Sequence, residues 1–211
     1  MVSSAAWTRR LQRAEVLAAD GEPGGSLLRF YARLLREQKK IHDALDTNRV
    51  TGALEADSAV VLESGLGLVQ MVSEQGPDAL AAEARQRLDN PDAIRGELMT
   101  YWTARTDRLF FPKALLQPYA EWLTHNSPQP ISGIAIAAGN RCPNCGGAPQ
   151  LSILEGAAAT AGDGSSRSLQ CATCLATWPY RRVVCPSCGN EDERMLRYYE
   201  SPTFSYMRID A

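Results

Sequence analysis

The strongest constraint on the fold of this 211-residue chain is a set of three Cys-x-x-Cys pairs that together contain all six of its cysteines. We name the loops around them knuckle 1 (142–147), knuckle 2 (171–176) and knuckle 3 (185–190). A tight turn of this kind directs two thiolates at one point, and two such turns supply the four sulfurs that a tetrahedral ion needs. The pattern therefore predicts a metal site for zinc or for iron of the rubredoxin type.

The length of chain between the knuckles indicates which of them meet. Twenty-five residues separate Cys145 from Cys171. Folded as one hairpin, they bring knuckles 1 and 2 to the same end, because antiparallel strands return to their origin. This arrangement predicts one complete site from Cys142, Cys145, Cys171 and Cys174. A competing register joins knuckle 2 to knuckle 3 across ten residues.

If knuckles 1 and 2 form one site, knuckle 3 holds half of another. Cys142 and Cys171 are 29 positions apart, and the same step from Cys185 reaches position 214, beyond Ala211. We therefore expect a second ribbon that stops before its closing knuckle, as in a truncated chain. Whether Cys185 and Cys188 bind metal on their own stays open, and unpaired they would be exposed, oxidisable thiols.

Before the knuckles, the hydrophobic pattern has the period of helices. Apolar residues recur at three- and four-residue steps from Leu27 through Tyr31 to Leu45, with Ser26 as the expected N-cap. A second apolar helix covers 58–72 and ends at Gly76. Proline at the first turn of a helix is harmless, so Pro77, Pro91 and Pro112 are expected to open three more.

After a predicted linker at 127–130, the period changes to that of short strands. We expect strands at 150–154, 167–170, 195–200 and 204–210. The predicted fold class is α+β: an all-helical domain at 1–130 that binds a client protein, a first rubredoxin-like ribbon at 131–182, and an incomplete second ribbon at 183–211.

Composition disfavours several functions. The net charge is −2, and positions 141–211 carry seven basic and seven acidic residues, so nucleic-acid binding lacks the basic field it usually needs. No apolar run suits a signal peptide or a membrane span, which predicts a cytoplasmic protein without membrane insertion. We find no nucleophile or phosphate-loop motif and expect no enzymatic activity. His42 and His125 are read as surface or helix-end residues.

The region from knuckle 1 to knuckle 3 resembles the formate dehydrogenase accessory protein family FdhE. The resemblance rests on CPNCGGAP at 142–149 and on the spacing Arg167-x-Leu169-x-Cys171-x-x-Cys174-x-x-x-Trp178-x-x-x-Arg182-x-x-Cys185-x-x-Cys188. It implies a helical domain followed by two rubredoxin-like modules. It also implies iron as the metal, with zinc as the alternative, held by all six cysteines and a fourth knuckle that this sequence lacks.

The resemblance further implies a role in maturing respiratory formate dehydrogenase, whose molybdenum-containing catalytic subunit would be the partner. Arg167, Trp178 and Arg182 are candidate partner-binding residues. The two arginines could equally brace the hairpin, and the alternative for Trp178 is packing over the metal site. Two alternative functions stay open: a rubredoxin-like one-electron carrier and a zinc-ribbon interaction module. A homo-oligomer also stays open.

Overall fold

The computed structural model describes residues 4–19, 24–104, 109–126, 139–155, 166–195, 198–200, 202 and 208–210. The chain divides into two compact units, Met1–Gly133 and Ile134–Ala211, and we describe each by itself. The predicted linker at 127–130 lies outside the described residues.

The first unit is helical, which confirms the helical part of the predicted α+β fold. Gly76 ends α3, and Pro91 is the first residue of α5, as their backbone preferences predict. The helices are α1 (Ser4–Ala19), α2 (Gly25–Thr47), α3 (Leu54–Gln75), α4 (Asp78–Asp89), α5 (Pro91–Ala104) and α6 (Phe110–Asn126). Since α6 begins at Phe110, Pro112 lies within its first turn and does not open it as predicted. Likewise α4 begins at Asp78, with Pro77 as its N-cap.

The core of this unit forms where α2, α3, α5 and α6 pack their apolar faces together. Ile41, Val61, Leu98 and Leu115 are among its fully buried side chains. Gly65 interrupts the apolar pattern of α3 because a Cβ there would lie 2.5 Å from Leu115 Cδ2. Its missing side chain lets α3 and α6 approach closely.

Helix α2 differs from its prediction at the N-terminal end. It begins at Gly25, after Gly24 in a left-handed conformation with φ of 101°, and it has no side-chain cap, so the capping role expected of Ser26 was wrong. Leu27 and Tyr31 share the face of Leu45 but are 66% and 39% exposed. Helical spacing identifies the face correctly, but the helices that the structure describes cover only its later turns.

His42 is buried, which corrects the expectation of a surface histidine. Its imidazole lies beneath α1, with its ring centroid 5.6 Å from that of Trp7. The sequence pattern does not show which helix α1 covers. His125 does lie in the last turn of α6, with Nδ1 2.7 Å from the carbonyl oxygen of Glu121.

The second unit contains two small antiparallel sheets. The strands β1 (Pro149–Glu155), β2 (Ser166–Cys171) and β3 (Thr177–Pro179) form the first in that order, and β4 (Tyr198–Glu200) pairs with β5 (Arg208–Asp210) in the second. Leu151 pairs with Gln170 in the first sheet, and Leu169 pairs with Trp178. This register confirms the hairpin predicted between knuckles 1 and 2.

Some strand boundaries differ from the prediction. Met195 belongs to a 3-10 turn at Glu193–Met195, so the strand predicted at 195–200 begins only at Tyr198. Of the strand predicted at 204–210, the described part is Arg208–Asp210. Over the ranges that the structure describes, no helix combines the length and apolarity that a bilayer crossing requires.

Candidate metal centre

Four cysteine sulfurs from knuckles 1 and 2 converge at the end of the β1–β2 hairpin. The Sγ atoms of Cys142 and Cys174 are 3.5 Å apart, and those of Cys145 and Cys171 are 3.4 Å apart. All four lie within 4.8 Å of one another, and all four residues are fully buried. The structure thus has the grouping that the hairpin length favours and not the competing register.

The arrangement fits a tetrahedral ion. Four thiolates at about 2.3 Å from one ion lie roughly 3.8 Å from each other, close to the separations observed here. The backbone N–H groups of Thr173 and Cys174 donate to Cys171 Sγ at 3.3 and 3.5 Å, and such bonds favour the thiolate form. The four-cysteine set is therefore a metal site whose chemistry suits zinc or iron alike.

The thiols influence one another's ionisation strongly. The pKa of Cys171 is lowered, chiefly by its hydrogen bond with the Cys142 thiol. The pKa values of Cys145 and Cys174 are raised, again chiefly through hydrogen bonds with Cys142. Buried like charges cannot all ionise unaided, whereas a divalent cation at their centre would deprotonate the coordinating thiols outright.

Each knuckle closes through one backbone pattern. The N–H of the first cysteine donates to the carbonyl oxygen five residues later, at 2.9 Å in knuckles 1 and 2 and at 2.8 Å in knuckle 3. The residue after the second cysteine has positive φ: 71° at Gly146, 59° at Leu175 and 75° at Gly189. Glycine at two of these positions adopts positive φ readily, and Leu175 adopts the same conformation against the preference of a residue with a Cβ.

Two further residues, which the sequence pattern did not single out, shape the centre. A Cβ at Gly147 would lie 2.9 Å from Cys171 Sγ and 3.3 Å from Cys145 Sγ, so only glycine fits beside the sulfurs. Thr173, between the cysteines of knuckle 2, is buried against the same position, and its hydroxyl oxygen would lie 2.9 Å from a Cβ at Gly147. The second glycine of CPNCGG was the available signal for the first of these contacts.

Knuckle 3 does not join the four sulfurs. Cys185 is half-buried and Cys188 is exposed. Hydrogen bonds from the backbone N–H of Cys188, and from that of Ser187, help to lower the pKa of the Cys185 thiol. Metal binding by this pair stays a prediction.

Of the three candidate partner-binding residues, two are buried within this unit. The Trp178 indole donates from Nε1 to the carbonyl oxygen of Gly139 at 3.1 Å, next to knuckle 1. Arg167 donates to main-chain carbonyls ahead of knuckle 3, whereas Arg182 is exposed. A role of any of the three in partner binding stays a prediction.

The fold and the site together define a helical protein with a small, four-cysteine ribbon module of the zinc-ribbon kind. No protein-family model matches the chain. It is 36% identical over 72 residues to "Protein FdhE homolog" of Aquifex aeolicus (strain VF5), a match that covers 34% of this chain and 24% of that relative. The matched segment is thus about a quarter of the relative's length.

The fold is also similar to a solved structure. The crystal structure of the FdhE protein from Pseudomonas aeruginosa matches with a TM-score of 0.65 and 20% identity, covering 99% of this chain and 79% of that one. At this identity the likeness establishes the fold. Both matched proteins carry the name FdhE, and the sequence match confirms the resemblance to FdhE proteins that the knuckle spacing predicted.

Proposed function

We propose that this chain is a non-enzymatic accessory protein of the FdhE type. It acts in the cytoplasm by binding the catalytic subunit of formate dehydrogenase during that subunit's maturation. The observation that carries the proposal is the 72-residue match to an FdhE homolog in a chain whose sulfurs form a closed four-thiol centre. A structural site of this kind contributes directly to folding, because metal binding becomes folding free energy.

The closed centre favours a structural role over a catalytic one. Cys142, Cys145, Cys171 and Cys174 are all fully buried, and catalytic zinc sites by contrast keep one position open for water or substrate. In our proposal these four residues hold iron, with zinc as the alternative. The bound ion would act as a cross-link between knuckles 1 and 2.

Separate parts of the chain have separate roles in this proposal. Residues 1–130 recognise the client, 131–182 form the loaded ribbon, and 183–211 belong to a second ribbon to which Cys185 and Cys188 contribute ligands. Client recognition by the helices is supported by Leu27 and Tyr31, which lie one turn apart on α2 and are both exposed. Exposed apolar groups at helical spacing are typical anchors for a partner protein.

Co-purification tests this function. We would express the tagged chain with a formate dehydrogenase catalytic subunit and compare wild type with a Leu27→Glu/Tyr31→Glu variant. We expect the subunit to co-purify with wild type and to be lost from the variant, because charge on the apolar face opposes burial. Leu66→Glu is the matched control, since Leu66 is 41% exposed on α3. No co-purification with wild type contradicts the proposed function.

A one-electron carrier is the second candidate, favoured by the sulfur arrangement alone. The backbone N–H groups directed at Cys171 Sγ are of the kind that tune the potential of an iron–thiolate centre. This function requires reversible oxidation and reduction of the iron-loaded chain. The visible thiolate-to-iron absorption measures both changes. Iron that does not cycle would exclude the carrier and leave the accessory role unaffected.

A further inference from the structure

The side chain of Arg167 links the four-thiol centre to knuckle 3. Arg167 is 7% exposed and lies in β2, the strand that ends at the metal-site residue Cys171. Its Nη1 donates to the carbonyl oxygens of Arg182 at 2.9 Å and Val184 at 3.0 Å. Val184 directly precedes Cys185, so the guanidinium holds the chain where it enters knuckle 3.

Further contacts of Arg167 fix its orientation. Its Nε donates to Ser152 Oγ of the neighbouring strand β1 at 2.7 Å. Its own carbonyl oxygen accepts from the Tyr180 N–H at 2.8 Å, and the Tyr180 hydroxyl donates to the carbonyl oxygen of Cys185 at 3.3 Å. One residue of β2 therefore connects the hairpin to the entry of knuckle 3 by its backbone and by its side chain.

A guanidinium suits this task because it presents several N–H donors in a rigid fork. Its donation to the Ser152 hydroxyl requires β1 and β2 to be paired, and this bond orients the guanidinium whose other side donates to the main-chain carbonyls of Arg182 and Val184. That pairing depends on the centre that closes the hairpin, since small metal-bound modules order on binding their ion.

We propose that Arg167 is a positioning residue that makes the order of knuckle 3 depend on loading of the four-thiol centre. This coupling rests on the metal centre in the proposed function. It adds an order of assembly, in which the four-thiol centre forms before knuckle 3. The first centre forms, β2 becomes ordered, and Arg167 then holds the 181–184 segment so that knuckle 3 keeps its turn. Knuckle 3 thus presents Cys185 and Cys188 in ligand geometry only in a loaded chain.

Amide hydrogen exchange on the zinc-loaded chain, followed residue by residue by NMR, tests the proposal. The Cys171 and Ala172 amides, bonded to the carbonyls of Ala176 and Ala148, report on the first centre. The Cys185 and Gly189 amides are bonded within knuckle 3 and report on the order of that knuckle. Zinc content is measured first, so a chain that binds no zinc is recognised as a failure of the metal centre and not of the coupling.

Three variants separate the dependence of knuckle 3 on the metal centre from its dependence on Arg167. Cys142→Ser/Cys145→Ser removes the ligands of knuckle 1, and we expect both pairs of reporters to exchange about tenfold faster or more. Arg167→Met should leave zinc content and the first pair unchanged while the second pair exchanges about tenfold faster. Arg167→Lys should recover part of the protection, because it keeps the charge but not the fork.

Arg181→Met is the matched control, because Arg181 lies in the same segment but forms an exposed ion pair with Glu191. Its removal should change exchange less than about twofold. Full protection of knuckle 3 in the Cys142→Ser/Cys145→Ser variant overturns the proposal. Loss of zinc from Arg167→Met also overturns it, since Arg167 would then only brace the hairpin. If Arg167→Met does not fold, the knuckle 1 variant and Arg167→Lys decide the outcome.

Discussion

The hydroxyl of Tyr119 donates a 2.7 Å hydrogen bond to Oδ2 of Asp57, a residue 62 positions earlier in the chain. The same carboxylate accepts from the backbone N–H groups of Thr51 and Gly52 and from the Thr51 hydroxyl, each at 2.9 Å. Asp57 thereby ties the α2–α3 loop to α6. Its four donors satisfy a buried charge that would otherwise be costly.

Replacing Asp57 should therefore destabilise the helical unit. In Asp57→Asn the amide nitrogen faces a hydrogen-bond donor in either orientation, because both carboxylate oxygens accept. We expect a loss of about 2 kcal/mol or more in the free energy of unfolding, and about 1 kcal/mol for Tyr119→Phe, which removes one donor. Urea denaturation followed by helical circular dichroism measures both. Equal, negligible effects would show that the carboxylate contributes little.

The same residue predicts a pH dependence. Burial by itself raises the pKa of Asp57, but hydrogen bonds from Thr51, Tyr119 and Gly52 outweigh it, so the folded pKa is lowered. A depressed folded pKa gives stability that is present above the unfolded value of about 3.9 and is lost as pH falls through the folded value. Wild type should lose this contribution on acidification, whereas Asp57→Asn should lack it at every pH. Parallel stability curves for the two proteins would contradict the prediction.

Substitution of different cysteines should remove different amounts of metal. Cys142→Ser or Cys174→Ser should remove metal from the first centre and loosen the β region while leaving the helices largely intact. Cys185→Ser should cost less metal, because Cys185 lies outside the four-sulfur group. Elemental analysis of anaerobically purified protein, with circular dichroism for the helices, provides the measurement. Equal metal loss from all three variants would argue for shared ligation across the knuckles.

Gly147→Ala should weaken metal binding without unfolding the helical unit. The new Cβ would lie 2.9 Å from Cys171 Sγ, which must move away from its ligand position. We expect at least a tenfold loss of zinc affinity, about 1.4 kcal/mol, from strain of the size that overpacking causes. Competition with a chelator measures the affinity. Gly189→Ala is the control, since its Cβ would meet nothing within 4 Å and only its φ of 75° is unfavourable; an equal loss there would show that the contact with sulfur is unimportant.

Leu175→Gly should stabilise the zinc-loaded ribbon or leave it unchanged. Leu175 has φ of 59°, a conformation that costs a residue with a Cβ about 1 kcal/mol and glycine little. Against this gain stands the loss of a half-buried leucine side chain. Amide exchange at Cys171, whose N–H closes knuckle 2, would show the change in local opening. A marked increase in exchange would mean that packing by Leu175 outweighs the backbone strain.

Local patterns predicted the centre well because its chemistry is local. Two Cys-x-x-Cys turns and the hairpin between them bring four sulfurs together without help from distant residues, and glycine at 146 and 189 supplies the positive φ. Helix boundaries at Gly76 and Pro91 followed from backbone preference in the same way. The resemblance to a family rested on the same short-range spacing.

The roles of residues that depend on a distant neighbour could not be predicted from the sequence. Nothing in the pattern shows that α1 covers His42 or that Leu27 is left exposed. Nor does it show that Arg167 donates to the carbonyl oxygen of Val184. Each of these relationships involves segments that are brought together only by the folded chain.

The amino-acid sequence by itself therefore determined the helical and ribbon halves of the fold, the knuckles, and the pairing of the first two of them. The tertiary structure alone decided which polar side chains are buried and what they hold in place. The physical reason is that turn geometry and periodicity act over a few residues, whereas burial of a side chain depends on every element that packs against it.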